Sequence, residues 1–144
     1  MKILFFVLLL TFGNVHLGHA QESASVRVQV QDIESSASGP LVIMLFASAD
    51  GFPIDPAQAI RKGTVTANSA RANYTFEDVP VGRYAVAVFQ DENENGTVDS
   101  NFLGIPKEPV GASNHTRLGR PNFSRCAFQH GTSSPVVTVK LLNQ

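Results

Sequence analysis

Residues 91–99 read Asp-Glu-Asn-Glu-Asn-Gly-Thr-Val-Asp. Oxygen-bearing side chains recur at alternate positions, a glycine marks the turn, and a carboxylate closes the run. Short loops surround a hard cation such as Ca²⁺ in this way. With Asp91 as position one, Asn93 and Asn95 fall at three and five, and their side-chain oxygens can face one centre. Gly96 at six permits the sharp turn, Thr97 at seven offers its backbone carbonyl, and Asp99 stands at nine. Position twelve is Phe102 where a helix–loop–helix site has a bidentate glutamate, so that version is excluded. A further ligand must come from water, Asn101 or Glu108. The expected metal set is therefore Asp91, Asn93, Asn95, Thr97, Asp99 and Glu108, with Glu92 and Glu94 facing outward. So few carboxylates imply weak binding, with a Kd of about 10⁻⁴–10⁻³ M. The competing reading is a plain solvated hairpin tip, because Asn95-Gly96 is a preferred tight-turn pair.

Catalytic constellations are sparse. G-x-S-x-G, H-E-x-x-H, C-x-x-C and Gly-rich phosphate-loop patterns are absent from the chain. Cys126 and His130 lie four apart and would share a face if both stood on one strand. Two residues make a thin basis for a soft-metal or Cys–His nucleophile site, and a lone Cys is more often a small buried apolar residue. Ser113-Asn114-His115-Thr116 offers polar groups for a binding surface. The alternative it leaves open is a small extracytoplasmic hydrolase using residues 99–115, with Asp99 or Glu108 as partner of His115. Arg117, Arg120 and Arg125 form a cluster that could receive an acidic ligand or pair with the acidic loop, although charge runs are usually solvated. The N-x-S/T sequons at Asn73, Asn95, Asn114 and Asn122 matter only in a host that glycosylates.

These residues need a scaffold, and the scaffold reads as β. Val26, Val28 and Val30 alternate with Arg27, Gln29 and Gln31, the pattern of a half-buried strand. Residues 41–46 are continuously apolar, as in a central strand covered on both faces. Residues 50–62, with Gly51, Pro53 and Pro56, read as a long connection with room for one helical turn at 57–61. Tyr74 and Phe76 alternate with polar neighbours. Tyr84, Val86 and Val88 share one face of a strand whose other face carries Ala85, Ala87 and Phe89, small enough for close packing against another layer. Residues 123–130 and 136–142 read as the last two strands, and 102–121 as an unusually long connection, of a length that is commonly functional or partly disordered. About seven short strands with turn chemistry between them indicate a single all-β domain, an antiparallel β-sandwich of the immunoglobulin-like or prealbumin-like kind.

Residues 1–20 read as a cleavable secretory signal. Lys2 supplies the positive end, residues 3–12 are almost wholly apolar, and Gly18-His19-Ala20 offers small residues for cleavage. The domain then spans 21–144, and the expected location is periplasmic or secreted, with no stable membrane insertion after cleavage. Loss of Lys2 leaves a mature formal charge of about −2, which argues against a nucleic-acid surface. Cys126 is the one cysteine, so stability comes from packing and not from an internal disulfide. The expected partner is a surface glycan, a peptide or another protein.

F-E-D-V-P-V-G-R-Y-A-V at 76–86 resembles the strand–turn–strand of prealbumin-like and carboxypeptidase-regulatory-like sandwiches. Followed by F-Q-D-E-N-E-N-G-T-V-D at 89–99, F-L-G-I-P-K-E-P-V-G-A-S-N at 102–114 and R-P-N-F at 120–123, the chain is similar to an uncharacterised bacterial family of exported domains. The motif positions correspond to Asp91, Asn93, Asn95, Gly96, Asp99, Gly104, Pro106, Glu108 and Asn114, with Pro109-Val110 departing from the glycine or aromatic expected nearby. The resemblance implies a seven-stranded exported sandwich and no particular activity. The hydroxyisourate hydrolases, enzymes on a prealbumin-like fold, end in Tyr-Arg-Gly-Ser; this chain ends in Leu142-Asn143-Gln144.

Overall fold

The computed structural model describes residues 22–34, 36, 38–117, 119–133 and 135–142. The expected signal at 1–20 lies outside the described residues, as do Ser35 and Ala37 of the turn before the second strand. Among the described residues, eight strands and one helical turn follow in order: β1 Ser23–Gln31, β2 Pro40–Phe46, β3 Arg61–Thr66, β4 Arg71–Pro80, β5 Gly82–Gln90, β6 Val110–Ala112, α1 Phe123–Cys126, β7 Phe128–His130 and β8 Val136–Lys140. They form an all-β sandwich of two sheets. One has the order β4-β1-β8; the other has β3-β2-β5-β6, with β7 also paired to β5.

Hydrophobic alternation decides which side chains face inward. Val26, Val28 and Val30 of β1, Leu41, Ile43 and Leu45 of β2, and Tyr84, Val86 and Val88 of β5 fill the space between the sheets. The opposite faces of β2 and β5 are also apolar, so they need a second cover. Met44, Phe46, Ala85, Ala87 and Phe89 form a separate apolar layer on the outer face of the five-stranded sheet, closed by Phe52, Cys126 and parts of the 98–127 segment. The doubly buried β2 and β5 expected from sequence are thus present, and the alanines on β5 let the cover approach closely.

Several local expectations differ from what forms. Residues 123–126 make a helical turn, not a strand, because Asn122 caps it: its side-chain oxygen accepts the Ser124 N–H at 3.0 Å. Residues 57–61 form no helix; the Asp55 carboxylate holds the Ala57 N–H at 2.9 Å, and the chain turns into β3. The long 102–121 connection contains β6, whose three residues pair with β5. β1 and β8 run parallel, with Arg27 opposite Val136 and Gln31 opposite Lys140, so that sheet is not purely antiparallel.

The acidic loop starts where β5 ends. Its root is fixed from two sides: Asp91 N–H donates to the Pro40 carbonyl at 2.9 Å, and Gln90 N–H to the Pro109 carbonyl at 2.9 Å. Gly39 (φ 89°) lies against this root, and a Cβ there would run into the Asp91 carbonyl oxygen. A side chain at residue 39 is thus excluded by both conformation and space.

Candidate functional site

Two buried carboxylates hold the loop backbone. Asp91 is 3% exposed; its Oδ1 accepts the Asn95 N–H at 3.0 Å and its Oδ2 the Gly96 N–H at 2.7 Å. Glu108 is 4% exposed; its Oε1 accepts the Glu92 N–H at 3.0 Å and its Oε2 the Asp99 N–H at 3.0 Å. Glu108 therefore ties the two ends of the loop together, while Asp91 closes its turn from below. The donors belong to exposed or half-buried residues, so the two buried carboxylates take the place of water as their partners and fix the loop's shape. Gly96 adopts φ 78°, the left-handed conformation the tight turn needs.

Above this base, three side chains gather. Asn93 Nδ2 donates to Asp99 Oδ2 at 2.6 Å, and Asn95 Nδ2 lies 3.2 and 3.3 Å from the two Asp99 oxygens. Asn93 Oδ1 accepts the Asn95 N–H at 3.3 Å, while Asn95 Oδ1 accepts both the N–H (2.9 Å) and the hydroxyl (3.0 Å) of Thr97. Asn95 thus meets Asp91 through its backbone N–H and Asp99 through its side-chain NH₂, while the side-chain oxygens of Asn93 and Asn95 turn to the Asn95 N–H and to Thr97. Glu92 and Glu94 are exposed, as expected. Among the described residues, no Lys or Arg pairs with Asp91, Glu92, Glu94, Asp99 or Glu108.

The donor set fits a hard cation by chemistry: carboxylates, amide oxygens and a backbone carbonyl are oxygen ligands. Turning each Asn amide about its terminal bond exchanges the NH₂ that faces Asp99 for the oxygen. The same NH₂ groups stabilise Asp99 in the hydrogen-bonded arrangement, so a cation has to displace two donors to enter. Glu108 has each oxygen committed to a backbone N–H, which suits it to bracing the loop. Among the described residues, no group of three or more His, Cys, Asp or Glu side chains is gathered as a metal site; the loop contributes two carboxylates, and its remaining oxygens come from Asn and backbone.

The other sequence candidates separate. Ser113 is fully buried; its hydroxyl donates to the Cys126 carbonyl at 2.7 Å and accepts the Val86 N–H at 3.0 Å. Its role is to join β5 to α1. His115 Nε2 lies 3.2 Å from the Gly119 carbonyl. Ser113 and His115 therefore each bond to backbone and do not form a nucleophile–base pair with one another. Asn114 Nδ2 donates to the Cys126 carbonyl at 3.3 Å. Arg117, Arg120 and Arg125 are exposed, and Arg120 lines an apolar cleft.

Cys126 and His130 stand on different elements and serve different layers. Cys126 packs in the outer apolar layer. His130 is 2% exposed, with Nε2 between the carbonyls of Ala24 (3.2 Å) and Val79 (3.0 Å) and its ring against Tyr84, which belongs to the inner core. Burial pushes the Cys126 thiol up from its ordinary range, partly offset by a backbone hydrogen bond at Asn122. Thiolate, not thiol, is the nucleophile. Native protein at pH 8 should thus react with an aromatic disulfide reagent far more slowly than protein unfolded in guanidinium. Fast stoichiometric labelling of the native chain would contradict that burial.

Fold and loop together define a class: a two-sheet all-β sandwich that grips an oxygen-rich loop at the end of a central strand. The chain belongs to a bacterial family described as "Uncharacterized protein conserved in bacteria (DUF2141)", whose model matches residues 28–138. That span runs from the middle of β1 into β8 and contains the whole loop and Glu108. No curated protein and no solved structure gives a match.

Proposed function

We propose that this chain acts, after export to the periplasm or medium, as a non-catalytic β-sandwich binding module whose 91–99 loop is ordered by Ca²⁺. Asp91, Asn93, Asn95, the Thr97 carbonyl and Asp99 would hold the ion, and Glu108 would brace the loop. The observation that carries this reading is the gathering of Asn93, Asn95 and Asp99 above a buried carboxylate base, with no basic side chain paired to any of them among the described residues. The carboxylates of residues 91, 92, 94, 99 and 108 repel one another, and a divalent cation relieves that repulsion. The loop and its neighbouring 100–106 turn would then present a fixed surface to a glycan, peptide or protein. The prealbumin-like relationship and the secretory signal belong to the same reading and rest on the sequence segments at 76–86 and 1–20. The hydrolase alternative finds no support in the separate hydrogen bonding of Ser113 and His115.

Thermal melting tests the cation directly. For a Kd of about 10⁻⁴–10⁻³ M, 10 mM Ca²⁺ stabilises the folded state by about 1.4–2.7 kcal/mol. For a domain of this size Tm then rises by roughly five to ten degrees over EDTA. Asp99→Ala should remove the rise and leave the EDTA melt nearly unchanged, because the Asp99 carboxylate bonds to side chains on the loop surface. An unshifted parent at tens of millimolar Ca²⁺ would eliminate the cation from the account.

A further inference from the structure

Among the described residues, the outer apolar layer is incompletely covered. Where segments 98–106 and 119–121 approach residues 53–54 across β5 and β6, they leave a cleft of about 450 Å³. That volume lies within the ~300–1,000 Å³ range typical of small-molecule sites. Phe89 and Val110 lie at its base, and Ile54, Val98, Ile105 and Pro106 contribute apolar walls. Among the described residues one charged side chain lines it, Arg120, which is exposed and has no hydrogen bond, ion pair or ring contact with any of them.

The wall at 100–106 is built, not slack. Ser100 bridges Pro106, Asn101 N–H donates to the Ile105 carbonyl at 2.9 Å, and Asn101 Oδ1 accepts the N–H groups of Leu103 (2.9 Å) and Ile105 (3.0 Å). This turn holds Phe102 and Leu103 out to solvent, 96% and 68% exposed, next to the cleft-lining Gly104 and Ile105. Water gains little from an apolar cleft, and an unpaired guanidinium favours a planar anion.

We propose that this cleft binds a small anion with an apolar body, of the medium-chain carboxylate class, its chain against Ile54, Val98, Ile105 and Val110 and its carboxylate on Arg120. The inference does not depend on the cation. Asp99 adjoins the cleft-lining Val98 and Ser100 and repels an anion, while at 0.15 M salt the loop carboxylates lying beyond about 8 Å are largely screened. Charge complementarity at Arg120 favours an anionic occupant over a neutral or cationic one of the same length.

Amide-resolved NMR titration of the full mature chain in EDTA and 0.15 M NaCl tests it. The probes are decanoate and decyltrimethylammonium, each below its micelle-forming concentration, and decanol below its solubility limit. Decanoate should give saturable shifts at Val98, Ile105, Val110 and Gly111, with none at Val28 or Val137 in the other sheet. It should bind roughly two- to fivefold more tightly than decanol, the increment expected of one exposed ion pair. Arg120→Ala should erase that preference, whereas Ile105→Gln should weaken decanoate and decanol alike; both positions are exposed, and unchanged melting curves verify folding. Equal affinity for all three probes, shifts confined to Phe102 and Leu103, or a preference that survives Arg120→Ala would each overturn the proposal. Because EDTA is present throughout, failure here leaves the calcium reading untouched, and failure of the calcium melt leaves this one untouched.

Discussion

Replacing Glu108 with Ala should lower global stability by about 3–6 kcal/mol, the loss of two hydrogen bonds to a charged acceptor at about 1.5–3 kcal/mol each. The N–H groups of Glu92 and Asp99 would lose their shared partner at a position where Glu108 itself is 4% exposed. A fall in Tm of roughly ten degrees or more follows. Glu108→Gln keeps one carbonyl acceptor but turns an NH₂ toward the second N–H, so it should recover only about half of the loss. Denaturant melts of parent, Gln and Ala forms measure the series. A loss below about 1 kcal/mol for the Ala form, less than one such hydrogen bond, would mean that water replaces the carboxylate and that the loop ends are not held by it.

Gly39→Ala should be nearly as damaging, at least about 2 kcal/mol, from a left-handed backbone unsuited to alanine combined with overpacking. The clash is with backbone, since the added Cβ would collide with the Asp91 carbonyl oxygen. Neither atom belongs to a side chain that can swing away, so the chain has to move. The root of the acidic loop moves with it, and the Ca²⁺-dependent rise in Tm should shrink as well. Gly96→Ala provides the contrast. Gly96 also has a positive φ, but a Cβ there meets nothing within 4 Å, so only the conformational part of the loss applies. Equal stability of the Gly39→Ala form and the parent would show that residues 39 and 91 are not in contact in solution.

The two central strands were legible because apolar residues there leave no choice. β2 and β5 are apolar on both faces, and each face found its own layer. β1 and β8 were legible from the alternation of Val26, Val28 and Val30 and of Val137 and Val139. β3 was not, since Arg61-Lys62-Gly63-Thr64-Val65-Thr66 is an exposed edge with one valine in its pattern. β6 has three residues and is defined by its pairing with β5, which a local sequence pattern does not encode. The 123–126 turn carried a readable sign, Asn122 before Phe123 and Ser124, whose capping chemistry outweighs the apolar pattern.

The site was legible to a similar extent. Alternating oxygens in 91–99 identified the loop, and Asn93, Asn95 and Asp99 do come together. The bracing by Glu108 was not legible as such, because its partners are backbone N–H groups nine and sixteen residues away and no side-chain motif marks them. The cleft had only an indirect sign: Phe102, Leu103 and Ile105 are apolar residues in an otherwise polar turn, exposed where a purely structural loop has little need of them.

A high-resolution crystal structure of the mature chain grown in 10 mM Ca²⁺ shows whether the 91–99 loop holds the ion. One ion is expected, with oxygens of Asp91, Asn93, Asn95, Thr97 and Asp99 at about 2.3–2.6 Å and the two Asn amides turned oxygen-inward. Density showing both Asn NH₂ groups still donating to Asp99, with no ion within reach of Asp91, would contradict it.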